Sequence, residues 1–318
     1  MKTVSGVRYI FVDILKGIAI LLIVYGHIIP GSIPVLTKWV STFNIPLFFF
    51  VSGILFNNSK YKDNFKGFLK CRFKGLVLPF LIFSTIVAVG YLFVTDNYLT
   101  FISKLFIYGW GGGQALWFVP VLLLVELAYY PLSKLGRKCR ILMLIICAVY
   151  SYFSSARIGL VSNNALLTFC GLYFYGIGNL CRPFLKYSVN LKTRWTLLIT
   201  MVGLILSLLY IPVCDVLPEW FINKIPSPIY YITPLFATGG MIGISIAINQ
   251  YMGKFIVEFF STCGKQSLII LAFHQIICMI AQQYVPAKIA IVIMIIFLTF
   301  LVWFIPKYLP WMLGRAKV

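Results

Sequence analysis

The sequence predicts an all-α integral membrane protein, a polytopic bundle of about ten transmembrane helices with both termini cytoplasmic. Three observations carry this reading. The 318 residues are 61% hydrophobic and only 11% charged, whereas a soluble domain of this length carries about a quarter charged residues. Apolar runs of about 20 residues recur along the chain, the length that crosses a bilayer core. Lysine and arginine then cluster in alternate connecting segments, as they do when one side of the membrane collects them.

Taken in order, the expected spans are residues 9–29, 39–57, 76–94, 114–131, 141–156, 163–180, 195–213, 229–249, 266–285 and 289–306. With the N-terminus inside, 21 of the 27 Lys and Arg fall in inner segments, five fall outside and Lys16 lies within the membrane. The net charge of +20 is thereby explained by membrane topology and not by nucleic acid. The first apolar stretch is too long for a signal core, carries Asp13 and Lys16, and is followed by no small-residue cleavage site. No polar stretch is long enough for a second domain, so residues 1–318 are expected to form one integral membrane domain.

Four of the eight cysteines fall at cytoplasmic edges, three within spans and only Cys214 outside, which leaves no extracellular disulfide. No Cys-x-x-Cys occurs and the two histidines are 247 residues apart, so no metal site is expected. Residues 95–113 contain Tyr108-Gly-Trp-Gly-Gly-Gly113, a lid or re-entrant candidate. Residues 250–265 mix apolar and charged positions, as a short amphipathic helix on the inner interface does.

The first span carries the chemistry. Asp13, Lys16 and His27 are ionisable groups inside one apolar helix, where such groups are costly and mark function by default. Lys16 and His27 are 11 residues apart, almost on one helix face and roughly 16 Å apart along the axis. His27, in the outer half, is either a general base for a hydroxyl or a histidine bonded to a neighbouring helix. Lys16, in the inner half, either holds an anionic ligand, pairs with Asp13 three residues earlier, or snorkels to the inner interface.

Further candidates follow along the chain. Asn44 opens the Pro46-containing run of the second span at the level of His27, and Ser52-Gly53 suit close helix approach. Arg72 and Lys74 precede Pro79 at the inner end of the third span, where a guanidinium suits a phosphate and a cluster of cations suits topology equally. Trp117 fits an aromatic belt or a substrate contact. Glu126 is the one glutamate inside a span, to be paired or functional, with the cationic end of the third span as a partner. His274, mid-span in the ninth helix, faces the cavity of His27 or bonds within the core.

In order and spacing these motifs resemble the membrane-bound acyltransferase-3 family, bacterial O-acyltransferases that modify surface glycans. The residues that carry the likeness are Asp13-Ile-Leu-Lys-Gly17 with His27 eleven positions after the lysine, and Pro46-Leu-Phe-Phe-Phe-Val-Ser-Gly53. Arg72 seven before Pro79, Leu116-Trp-Phe118, and Gly264-Lys-Gln-Ser-Leu268 leading to His274 complete it. Gly75 stands where the family tends to carry a second basic residue, and Asn44 where related short members often have histidine.

The resemblance implies an enzyme of the bacterial inner membrane with His27 catalytic, Lys16 its essential support and Asp13 beside it. It implies an acyl-CoA donor, acetyl-CoA above all, and a carbohydrate or lipid-linked glycan acceptor, with no permanently bound cofactor. Asn44, Ser52, Arg72, Lys74, Trp117, Glu126 and His274 are the expected substrate-binding set. The alternative from the residues themselves is a transporter of a glycan or lipid-linked sugar, its path lined by the same polar groups.

Overall fold

A computed structural model describes residues 8–28, 34–94, 115–155, 163–188, 192–208 and 228–315, all helices and short connections with no strand among them. The main helices are α1 (Ile10–Ile28), α2 (Pro34–Leu55), α3 (Phe65–Tyr91), α4 (Phe118–Leu132), α5 (Arg137–Ser155) and α6 (Asn163–Leu180). They continue with α7 (Thr193–Leu208), α8 (Thr233–Tyr251), α9 (Lys254–Lys265), α10 (Ser267–Gln282) and α11 (Ala287–Tyr308). The Tyr108–Gly113 lid candidate lies outside the described residues.

Each expected span falls on a helix, but the helices are not equivalent. Among the described residues six stretches are long and apolar enough to cross a membrane: α1, α2, α3, Ala115–Leu132, which contains α4, Pro228–Tyr251, which contains α8, and α11. The pair α9 and α10 adds a seventh if its 78° bend is one broken span. Leu166–Leu180 of α6, and α7, are shorter apolar helices. α5 begins Arg137-Lys-Cys-Arg140, and those cations dilute its apolar character.

The third span starts earlier than its hydrophobic run. The expected span begins at residue 76, yet α3 begins at Phe65, capped by the Asn64 side chain on the Gly67 N–H at 2.8 Å. It reaches its apolar part through a wide π turn over Phe73–Val77, where the Leu78 N–H donates to the Phe73 carbonyl five residues back. Pro79 follows directly and has no N–H for the carbonyl one turn earlier; widening the helix at that point absorbs the mismatch.

Within residues 250–265, α9 packs against α1. α9 turns Phe255 and Phe259 outward and buries Ser261 and Gly264 against α1. The two backbones cross at glycines: a Cβ on Gly264 would fall on the Asp13 carbonyl, and one on Gly17 would fall on the Phe260 carbonyl. Small residues at such a crossing let helix backbones touch, the principal route to helix association in lipid. Gly264→Ala is therefore expected to force the helices apart and destabilise the protein by about 2 kcal/mol. Thermal unfolding in detergent measures this, with Gly253→Ala as the control because nothing lies within 4 Å of a Cβ there.

A second close crossing joins α2 to α6. A Cβ on Gly53 would meet the Tyr175 carbonyl, as the Ser52-Gly53 pair suggested. Carbonyls at the end of α2 accept hydrogen bonds from α6 and the turn after it. Asn179 Nδ2 donates to Gly53 O and Phe56 O at 3.1 and 3.0 Å, and Arg182 Nη1 donates to Ile54 O and Phe56 O at 3.1 and 3.0 Å.

The last described turn, Pro310–Leu313, ends at Gly314 in the left-handed conformation, φ 64°. Gly314 rests on the Lys74 carbonyl, where a side chain has no room. The C-terminal turn is thus docked on the π turn of α3, and this contact carries Arg315 towards the first helix.

Candidate active site

A cavity of about 650 Å³ runs along α1. The α1 residues that line it are Lys16, Ile20, Ile23 and His27, spaced four, three and four apart, which is one continuous helical stripe. α2 presents a matching stripe through Ser41, Asn44, Ile45, Phe48 and Ser52. Trp117 and Phe118 close the side between them. The shared face expected of Lys16 and His27 is therefore one wall of a single cavity, with a cation towards one end and an imidazole towards the other.

His27 occupies the last turn of α1 and is accessible from the cavity. Its Nδ1 lies 3.1 Å from Nε2 of His274, with the ring centroids 5.2 Å apart. His274 is fully buried and does not line the cavity; its own Nδ1 lies 2.8 Å from the Ile270 carbonyl one turn back on α10. It stands behind His27 and not among the groups open to a substrate. The two histidines, 247 residues apart in sequence, thus form one hydrogen-bonded pair.

At the other end, Lys16 Nζ lies 3.0 Å from Asp13 Oδ1, and Arg8 Nε lies 2.7 Å from Asp13 Oδ2. Asp13 is buried and outside the cavity wall, so it holds Lys16 in place from behind. Lys16 is about a fifth exposed at its side chain and faces the cavity. Lys265 and Arg315 join it there, with Gln266 and Ser267 between the two bent helices. Arg315 Nη2 also approaches the Lys265 carbonyl at 3.5 Å. Three cations thus share the mouth of the cavity.

Neither Lys265 nor Arg315 stood out in the sequence. The signal for Lys265 was the Gly264-Lys-Gln-Ser267 run; Arg315 carried none, because its position depends on Gly314 docking against Lys74.

The expected set divides. Asn44, Ser52 and Trp117 line the cavity with Lys16 and His27. Asn44 Oδ1 accepts from the Ile45 N–H at 2.7 Å, which directs its amide nitrogen away from that bond. Trp117, with 9% of its surface exposed, belongs to the cavity wall and not to an interfacial belt. Arg72, Lys74 and Glu126 lie off the cavity wall.

Arg72 Nε sits 2.6 Å from Glu126 Oε2, and its guanidinium lies over the Phe68 and Tyr61 rings at 5.3 and 5.8 Å. Tyr175 OH donates to Glu126 Oε1 at 3.4 Å. This is the pairing foreseen for Glu126 with the cationic end of α3, and it draws Arg72 into a buried ion pair off the cavity wall. Lys74 is exposed, its backbone carbonyl covered by Gly314.

Among curated proteins and among solved structures nothing matches the chain significantly. The acyltransferase domain model of the acyltransferase-3 family matches residues 9–308, from the start of α1 to the end of α11. That match takes in both histidines, the cavity-lining faces of α1 and α2, and the basic mouth as far as Lys265. The chain is a helical, multi-pass membrane acyltransferase and belongs to the acyltransferase-3 family.

Proposed function

We propose that this acyltransferase moves an acyl group, acetyl above all, from acyl-CoA to a hydroxyl of a cell-surface or lipid-linked carbohydrate, with His27 as the general base. The observation that carries this reading is the single cavity joining a three-cation mouth to an imidazole. The mouth suits a phosphorylated nucleotide, and a pantetheine arm suits the apolar wall of Ile20 and Ile23 between Lys16 and His27. Those two residues are roughly 16 Å apart along the helix axis.

His27 Nε2 takes the proton of the acceptor hydroxyl as that oxygen attacks the thioester carbonyl. The tetrahedral intermediate collapses with cleavage of the C–S bond. The proton held by the imidazolium leaves with the CoA thiol, and the ester remains on the sugar. The Asn44 amide, on the cavity wall, steadies the carbonyl oxygen as charge develops on it.

The location proposed is the bacterial inner membrane, with ten spans and the Lys16 end cytoplasmic. This agrees with the strong bias of Lys and Arg towards alternate segments. It also agrees with Arg8, which shares Asp13 with Lys16, and Arg315, which lines the cavity with Lys16, lying at the same end of the bundle.

Proteoliposomes given radiolabelled acetyl-CoA and candidate glycans test the reading. Label bound covalently to the glycan is the expected result. Unmodified glycan crossing the bilayer without label transfer would instead identify a transporter.

At the mouth, Lys16→Ala is expected to lose most activity and Lys16→Arg to keep much of it, because the charge and not the ammonium shape is needed. Lys265→Ala and Arg315→Ala are each expected to raise KM for acetyl-CoA several-fold with little change in kcat. Steady-state kinetics with varied donor check this; near-wild-type values in all four would remove the mouth from donor binding.

A further inference from the structure

We infer that His274 is a positioning residue that sets the tautomer of His27, fixing its proton on Nδ1 and leaving Nε2 as the basic nitrogen. The inference deepens the proposed function, because it gives the general base its orientation. The Ile270 carbonyl only accepts, so the 2.8 Å bond to it requires the proton of His274 on Nδ1.

His274 is fully buried. The two buried carboxylates among the described residues, Asp13 and Glu126, are taken by Arg8 with Lys16 and by Arg72. An imidazolium without a counter-ion in such a place is costly, so the ring is neutral. A neutral ring protonated on Nδ1 carries a lone pair on Nε2. That nitrogen faces His27 Nδ1 at 3.1 Å, which must therefore supply the hydrogen.

With Nδ1 of His27 occupied as a donor, Nε2 on the opposite edge of the ring is the lone-pair nitrogen, and no described residue bonds to it. The chain Nε2(His27)–Nδ1–H···Nε2(His274)–Nδ1–H···O(Ile270) is anchored at one end by a helix carbonyl and open to the cavity at the other. A histidine side chain free in water favours the Nε2–H form, which would present a donor and not a base to the hydroxyl. His274 thus does for His27 what a carboxylate does in a Ser-His-Asp triad, orienting the base and selecting its tautomer, with a neutral ring in place of the anion.

The presence of only two histidines makes the test direct. Protein labelled with ¹⁵N on histidine, in nanodiscs and with both rings neutral, should show four ring nitrogens. The expected result is Nδ1–H for both rings and a through-hydrogen-bond coupling between His27 Nδ1 and His274 Nε2, with His27→Gln providing the assignment. A wild-type spectrum with His27 in the Nε2–H form overturns the inference whatever the activity, and this arm needs no acyl-transfer assay.

In His274→Leu, His27 should shift towards the Nε2–H form and kcat should fall about 100-fold with KM for both substrates within a few-fold. His274→Gln, whose Oε1 can accept the same bond, should restore most of kcat. A His27 that stays wholly Nδ1–H in His274→Leu, or equal losses in the Leu and Gln variants, would overturn the positioning role. If the spectra behave as expected while neither variant nor wild type transfers acyl groups, it is the proposed reaction that fails and not the tautomer assignment.

Discussion

Replacing His27 with alanine is expected to lower acyl-transfer turnover by about 1000-fold while the protein still inserts and folds. The direction follows from position. His27 stands at the end of the cavity away from the cation mouth, in the last turn of α1, and is open to the cavity. Its one bond among the described residues is to His274. Losing that bond leaves the His274 Nε2 facing a cavity that water can enter, so no polar atom is stranded and the stability cost is small. Single-turnover transfer from acetyl-CoA, with size-exclusion behaviour and thermal unfolding measured on the same sample, separates the two effects. A purified, folded His27→Ala protein with near-normal turnover would remove His27 as the base.

The second large effect is expected at Arg72, on stability and not on donor binding. Arg72 and Glu126 form a buried ion pair, with side chains 19% and 6% exposed, joined by Tyr175. Arg72→Ala removes the cation and leaves a buried carboxylate with one phenol, which should cost about 3 kcal/mol. Arg72→Met with Glu126→Leu replaces both charges by apolar groups of similar size and is expected to recover most of that loss. Thermal unfolding of the single and double variants forms the cycle. If Arg72 instead clamped a donor phosphate, Arg72→Ala would raise KM for acetyl-CoA without loss of stability, and the second substitution would restore nothing.

His27 and Lys16 were legible because helical periodicity is local: eleven residues bring two side chains back to one face whatever surrounds them. The cavity stripe Lys16, Ile20, Ile23 and His27 is that periodicity made visible. For Arg72 the sequence left phosphate binding, topology and pairing with Glu126 open, for the converse reason. Six cations crowd residues 60–74, and charge alone does not say which of them turns inward. The π turn and the carboxylate of Glu126, from a helix about 50 residues later, decide that.

Composition, apolar run length and charge alternation were enough to establish a helical membrane protein, the order of its helices, and one helix bearing an imidazole and a cation on a common face. These are properties of near neighbours along the chain and of the solvent around it. Which groups complete the site was settled by contacts between distant segments. α9 crosses α1 where Gly17 and Gly264 let the backbones touch, and so delivers Lys265. Gly314 seats on Lys74 and delivers Arg315. α10 carries His274 to within 3.1 Å of His27. Such close approaches depend on where a side chain is missing or a helix bends, and a linear pattern of polar and apolar residues does not record them.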